Sequence, residues 1–145
     1  MRTILRNSRT IVLMGLPALL LACGESTSPP DALVGNYTAV TMTSTGTSGQ
    51  RNELLAGSTL VLNLNADGTT TGHFHFVPPD GSPNFEADMA GTWTRNGLTV
   101  EFDQAADSFV RDMPFTMTAG PTATWDLVGD ETFSGTRLQV TLRKT

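Results

Sequence analysis

The single cysteine of the chain, Cys23, ends an apolar run and opens a small polar one, in the stretch LLLACGESTSPPD over residues 19–31. Of the side chains there, its thiol is the one nucleophile suited to accept a lipid. With one cysteine no intrachain disulfide can form, so the fold must stand on its apolar core. The two histidines, His73 and His75, stand two apart. On a strand both rings point to the same face, a spacing that occurs in zinc sites. A third ligand would come from Glu86 or Asp88 if the segments 69–77 and 86–94 pair. The competing reading has Phe74 and Phe76 turned inward and both histidines facing water, and no metal is assigned. Asp103, Asp107 and Asp112 lie near one loop but lack the spacing of an EF-hand, which leaves an acidic loop flanking strands. There is no Gly-x-Ser-x-Gly elbow, and the histidines have no obvious serine partner in sequence. The chain is therefore expected not to be an enzyme, with no catalytic residue and no cofactor.

What must position these residues begins with an address. Arg2, Arg6 and Arg9 give a positive start, and residues 11–22 an apolar stretch of 12 residues. That is short of the roughly 20 needed to span a bilayer, and polar residues follow, as in a cleaved export signal. Residues 1–22 are read as that signal. Leu20-Leu21-Ala22-Cys23 resembles the lipobox of bacterial lipoproteins. The resemblance implies lipid attachment (palmitate among the acyl groups) at Cys23 and cleavage just before it. Several acyl chains hold a protein stably at a membrane, since each buried methylene contributes about 0.8 kcal/mol. Residues 23–32 then form a lipidated, flexible tether, stiffened at Pro29-Pro30. Gly24 stands where an aspartate is associated with inner-membrane retention, so the resemblance points to the cell envelope, at the outer membrane, facing the periplasm or the cell surface.

The mature chain is one domain, residues 33–145, and is acidic. Removing residues 1–22 takes three positive charges with it and moves the formal charge from −5 to −8. Such a surface repels nucleic acid. Frequent Thr and Gly favour strands and turns, and no segment carries a convincing helical period. Period-two alternation appears instead, over 34–43, 58–65, 69–77, 85–94, 98–103, 109–117, 123–127 and 136–144. Asp67-Gly68 and Asn96-Gly97 are tight-turn signals between consecutive segments. Eight strands, most with one apolar face (the first is less clean, with Tyr37 opposite Val34, Val40 and Met42) and no helix to cover it, must curl up or fold over. Sequential hairpins predict an all-β fold, an eight-stranded antiparallel up-and-down barrel, with a β-sandwich as the alternative.

Val34-Gly35-Asn36-Tyr37 is similar to the opening of lipocalin-like domains, with Tyr37 in place of their tryptophan. GSTLVLNLNADGTTTGHF and, later, GTWTRNGLTVEF resemble small bacterial lipocalin-like lipoprotein domains. The resemblance implies a barrel able to hold a small apolar ligand. It also implies a late arginine, Arg137 or Arg143, packed over Tyr37. The interior would be lined by Phe74, Phe76, Met89, Trp93, Phe102, Met113, Phe115, Met117 and Trp125. An eight-stranded barrel is either just filled by such side chains or holds one small ligand, and both remain open here. Two functions follow. One is a membrane-anchored lipocalin-like module that binds or carries a small hydrophobic ligand. The other is a filled, non-catalytic interaction module that binds an envelope protein, or inhibits a protease, through loops such as Pro78–Asn84.

Overall fold

Alternation of inward apolar and outward polar residues does produce strands, and the strands close on themselves. The computed structural model describes residues 32–121 and 124–145. The predicted signal peptide, Cys23 and all of the tether except Ala32 lie outside the described residues, as does Ala123. The strands are β1 (Gly35–Gly46), β2 (Gly49–Asn52), β3 (Thr59–Leu64), β4 (Thr69–Phe76), β5 (Phe85–Asp88), β6 (Gly91–Asn96), β7 (Thr99–Gln104), β8 (Phe115–Ala119), β9 (Trp125–Phe133) and β10 (Thr136–Lys144). One helical turn, α1 (Phe109–Asp112), precedes β8. Among the described residues no helix is long and apolar enough to cross a membrane.

The ring runs β1-β3-β4-β6-β7-β8-β9-β10 and back to β1, antiparallel at every step. This is the eight-stranded antiparallel barrel that the hairpin spacing predicts. β2 and β5 lie outside the ring. β1 pairs β3 through Gly35–Thr38 and β2 through Thr43–Gly46, along one edge. β4 pairs β6 at Thr69 and Thr70, and β5 from His73 to Phe76. β5 and β6 keep a single register on β4, so the expected strand 85–94 is one extended path interrupted at Met89-Ala90.

The first strand departs from simple alternation, for a physical reason. The pairing with β10 slips between Ala39 and Thr41, leaving Val40 as the extra residue. A bulge of this kind reverses which side chains face inward beyond it. Tyr37 and Ala39 therefore point in on one side of the bulge and Met42 on the other, while Val40 is exposed. Tyr37, on the opposite face from Met42 by strict alternation, is fully buried and donates its hydroxyl hydrogen to the Leu33 carbonyl at 2.9 Å. The two late arginines are held by carboxylates: Arg143 by Asp126, at 2.8 and 3.1 Å, and Arg137 by Asp130. Asp126 is itself buried.

Other departures are local. Phe109, expected on a strand, lies in the α1 turn. Leu98 sits in the exposed turn between β6 and β7 rather than on an inward face. The β9–β10 hairpin turns at Ser134-Gly135, both with positive φ, 49° and 83°.

The core joins Leu33, Tyr37, Leu60, Leu62, Leu64, Val100, Phe115, Leu127 and Leu142, all essentially inaccessible. Gly72 lets β3 and β4 approach. Its φ is +145°, and a Cβ there would stand 2.1 Å from the Val61 carbonyl oxygen. The Gly72→Ala variant should lose about 2 kcal/mol or more. Urea unfolding should show this as a lower midpoint with an unchanged slope, and a midpoint equal to that of the native protein would contradict the close approach.

Candidate functional site

Strand directions give the barrel two unlike ends. Gly35, Leu64, Thr69, Asn96, Ala119 and Lys144 mark one of them. The chain enters there, and its end is tied back there: Lys144 Nζ donates to the Ala32 carbonyl at 2.7 Å, and the Thr145 amide to the Asn36 carbonyl at 2.9 Å. Leu33 and Tyr37 fill this end. Trp93, half-buried, caps it sideways through a 3.0 Å bond from its indole N–H to the Asn65 carbonyl.

The other end opens into a cleft of about 690 Å³. β2 and β5 diverge from the ring on this side, and the segments 53–58, 77–84 and 105–109 surround the opening. The floor and one wall are aromatic. Phe74, 4% exposed, lies at the centre of a cluster, with ring centroids of Phe109, Phe85 and Phe76 at 5.2, 5.9 and 6.1 Å. Met42, Phe133 and Leu138 complete the apolar lining, and Pro78, Pro79 and Pro83 supply a stiff outer wall.

The polar lining was not legible in the sequence. Glu53 is 2% exposed, in the turn after β2. Ser44 donates its hydroxyl hydrogen to Glu53 Oε1 at 2.5 Å, and Arg51 donates to Oε2 at 2.6 Å and to the Val77 carbonyl at 2.9 Å. The Glu53 amide bonds the Met42 carbonyl, and the Ser58 amide bonds the Glu53 carbonyl. A buried carboxylate is tolerable only when paired in this way, and the network ties β1, β2 and the end of β4 into one rim. Asp80 accepts from the amide and hydroxyl of Ser82, and these bonds, the hydroxyl first, hold its carboxyl below the usual range. Ser108, 7% exposed, also lines the cleft, and its buried hydroxyl has no hydrogen-bond partner among the described residues. The only signal for Glu53 is a lone acid before Leu54-Leu55; nothing local announces its burial, which depends on the distant Val77 and Ser44.

Of the nine residues expected to line the interior, Phe74 and Phe76 reach the cleft. Met89, Phe115 and Met117 are buried in the core away from it, while Trp93 and Trp125 are half-buried against that core. Phe102 and Met113 are also buried and border a separate, more polar depression of about 310 Å³ between β6, β7 and α1. Phe85, on the strand face expected inside, is 39% exposed at the cleft mouth.

The histidines occupy the outer face of β4. His73 stands opposite Asp88 and His75 opposite Glu86. His73 Nε2 lies 2.7 Å from Glu86 Oε2 and its Nδ1 3.4 Å from Asp88 Oδ1; His75 Nδ1 bonds Glu86 Oε1. The expected neighbours are thus brought together, as an exposed ion-pair network. Among the described residues no group of three or more His, Cys, Asp or Glu is arranged to hold a metal ion.

Comparison of the chain with family models, curated proteins and solved structures returned no match.

The β4–β5 network makes a pH prediction. Hydrogen bonds that His73 donates to the Glu86 and then the Asp88 carboxylate raise its pKa, and the histidines lower that of Glu86. A raised histidine pKa contributes stability that is fully present below its unfolded value, near 6.5, and is lost as pH rises through the folded value. The lowered Glu86 pKa contributes above its unfolded value and is lost as pH falls through the folded one. Proton NMR of His73 should give a midpoint above 6.5 in the native protein and one closer to 6.5 in Glu86→Gln. Equal midpoints in the two proteins would refute the coupling.

Proposed function

We propose that the protein is a membrane-anchored, lipocalin-like binding module of the cell envelope, holding a small hydrophobic ligand in the cleft at the open end of its barrel. The observation that carries this reading is the cleft itself. At about 690 Å³, concave, mostly apolar and with a few convergent polar groups, it matches the size and chemistry of small-molecule sites, roughly 300–1,000 Å³. A barrel filled throughout would support the other reading, docking of an envelope protein or protease through loop 78–84. That loop instead turns Pro78, Pro79 and Pro83 toward the cleft, so its residues support a wall for a ligand. The proposal is non-enzymatic. The lipid anchor rests on Cys23 and the residues before it, and the placement at the outer membrane on Gly24 after it.

Two measurements test the proposal. A neutral environment-sensitive dye, N-phenylnaphthylamine, should brighten on the native protein and be displaced by alkanols of medium length. Phe109→Ala and Phe76→Ala should weaken the dye by about tenfold each, as removal of a buried aromatic contact does. In cells, labelled palmitate should enter the native protein and not Cys23→Ser. A dye response unchanged by both phenylalanine substitutions would overturn the ligand site, and label retained in Cys23→Ser would overturn the anchor.

A further inference from the structure

Among the described residues the charged side chains that line the cleft are all carboxylates, and two of them, Glu53 and Asp107, are paired with arginines beside it. Its polar lining consists of carboxylates and hydroxyls: Glu53, Asp80 and Asp107 with Ser44, Ser82, Ser108 and Thr136. Among the described residues no lysine, arginine or histidine lines it. The two nearby arginines are already engaged. Arg51 is held between Glu53 and the Val77 carbonyl, and Arg111 between Asp107 and Asp112. Asp80 has no cationic partner of this kind; it is bonded to Ser82 at an exposed position on the mouth. An anionic head brought into this cleft would lose water and meet carboxylates in return, which is costly. A positively charged head would meet carboxylates at the rim and the rings of Phe74, Phe76, Phe85 and Phe109 in the lining, and an aromatic ring attracts a cation through its quadrupole. The Ser108 hydroxyl, beside Phe109 in the lining, is buried without a hydrogen-bond partner among the described residues, a second, independent observation that favours a ligand with a polar head.

Resting on the ligand-binding reading, we propose that the cleft selects hydrophobic molecules with a cationic head, an alkyl or aryl amine or quaternary ammonium, over fatty acids and other anionic amphiphiles. The apolar part occupies the phenylalanine and methionine wall. The ammonium sits toward Asp80 and Asp107.

The experiment compares three ligands with one chain length: decyltrimethylammonium, decanol and decanoate, each below its micellar concentration and in physiological salt, by displacement of N-phenylnaphthylamine and by calorimetry. Decyltrimethylammonium should bind about tenfold more tightly than decanoate, with decanol between them. The double variant Asp80→Asn/Asp107→Asn should reduce that ratio several-fold, with ammonium binding falling by a larger factor than decanol binding. Glu101→Gln, which removes an exposed charge outside the cleft, should leave the ratio as it is. Decanoate binding as tightly as the ammonium, a ratio insensitive to the Asp80 and Asp107 changes, or a ratio that Glu101→Gln reduces equally would each overturn the selectivity while leaving the ligand site standing. Failure of all three ligands and of the dye to bind would remove the site itself and the selectivity with it.

Discussion

Closure of the barrel depends on β1 being hydrogen-bonded along both edges. β10 takes one edge from Tyr37 to Thr45, and β3 and β2 share the other. A strand in this position must follow the curvature of the ring while presenting inward residues at both ends. Strict alternation over 12 residues does not allow it here, because Tyr37, Ala39 and Met42 do not share one parity. The extra residue at Val40 removes the conflict and lets the first strand meet the last. With the ladder closed, the inner faces of eight strands bury one another and the ring leaves no free edge.

The cleft follows from how that closure is relaxed at one end. β1 and β4 are each longer than the neighbours they pair with in the ring, and the surplus length of each is taken up by a strand outside it, β2 or β5. The connections after these strands swing outward. The space they leave is not packed by the core, and its rim must carry its own hydrogen bonds. Glu53, Ser44 and Arg51 supply them.

Most of the fold was legible in the sequence because period-two patterning and Asx-Gly turns are local signals. β3, β4, β7 and β10 stand within a residue or two of the alternating segments, and the hairpins at Asp67-Gly68 and Asn96-Gly97 are where the turn residues put them. β2 was not legible: GQRN has no apolar face and is a strand only because β1 is there to pair with it. The α1 turn was missed because Phe109, Met113, Phe115 and Met117 are spaced by even numbers by coincidence. The cleft was only partly legible. Phe74 and Phe76 were visible on an inward face, whereas Glu53, Ser108 and Phe109 acquire their positions from contacts across the mouth that no local pattern encodes. Met89 and Met117 were legible as buried, but sequence could not say that the space around them is full.

Both ends of the described chain meet on the filled side of the barrel, where Lys144 reaches Ala32. From Gly35 to Ser44, β1 carries the chain roughly 30 Å to the far side, at about 3.3 Å per residue. Under the anchor proposed at Cys23, the domain would be joined to its tether on this filled side, at Ala32. Cargo would then be exchanged with the surrounding water rather than drawn sideways out of the lipid. Delivery would be limited by how much of the compound dissolves, which sets an upper bound on the greasiness of anything the protein can collect.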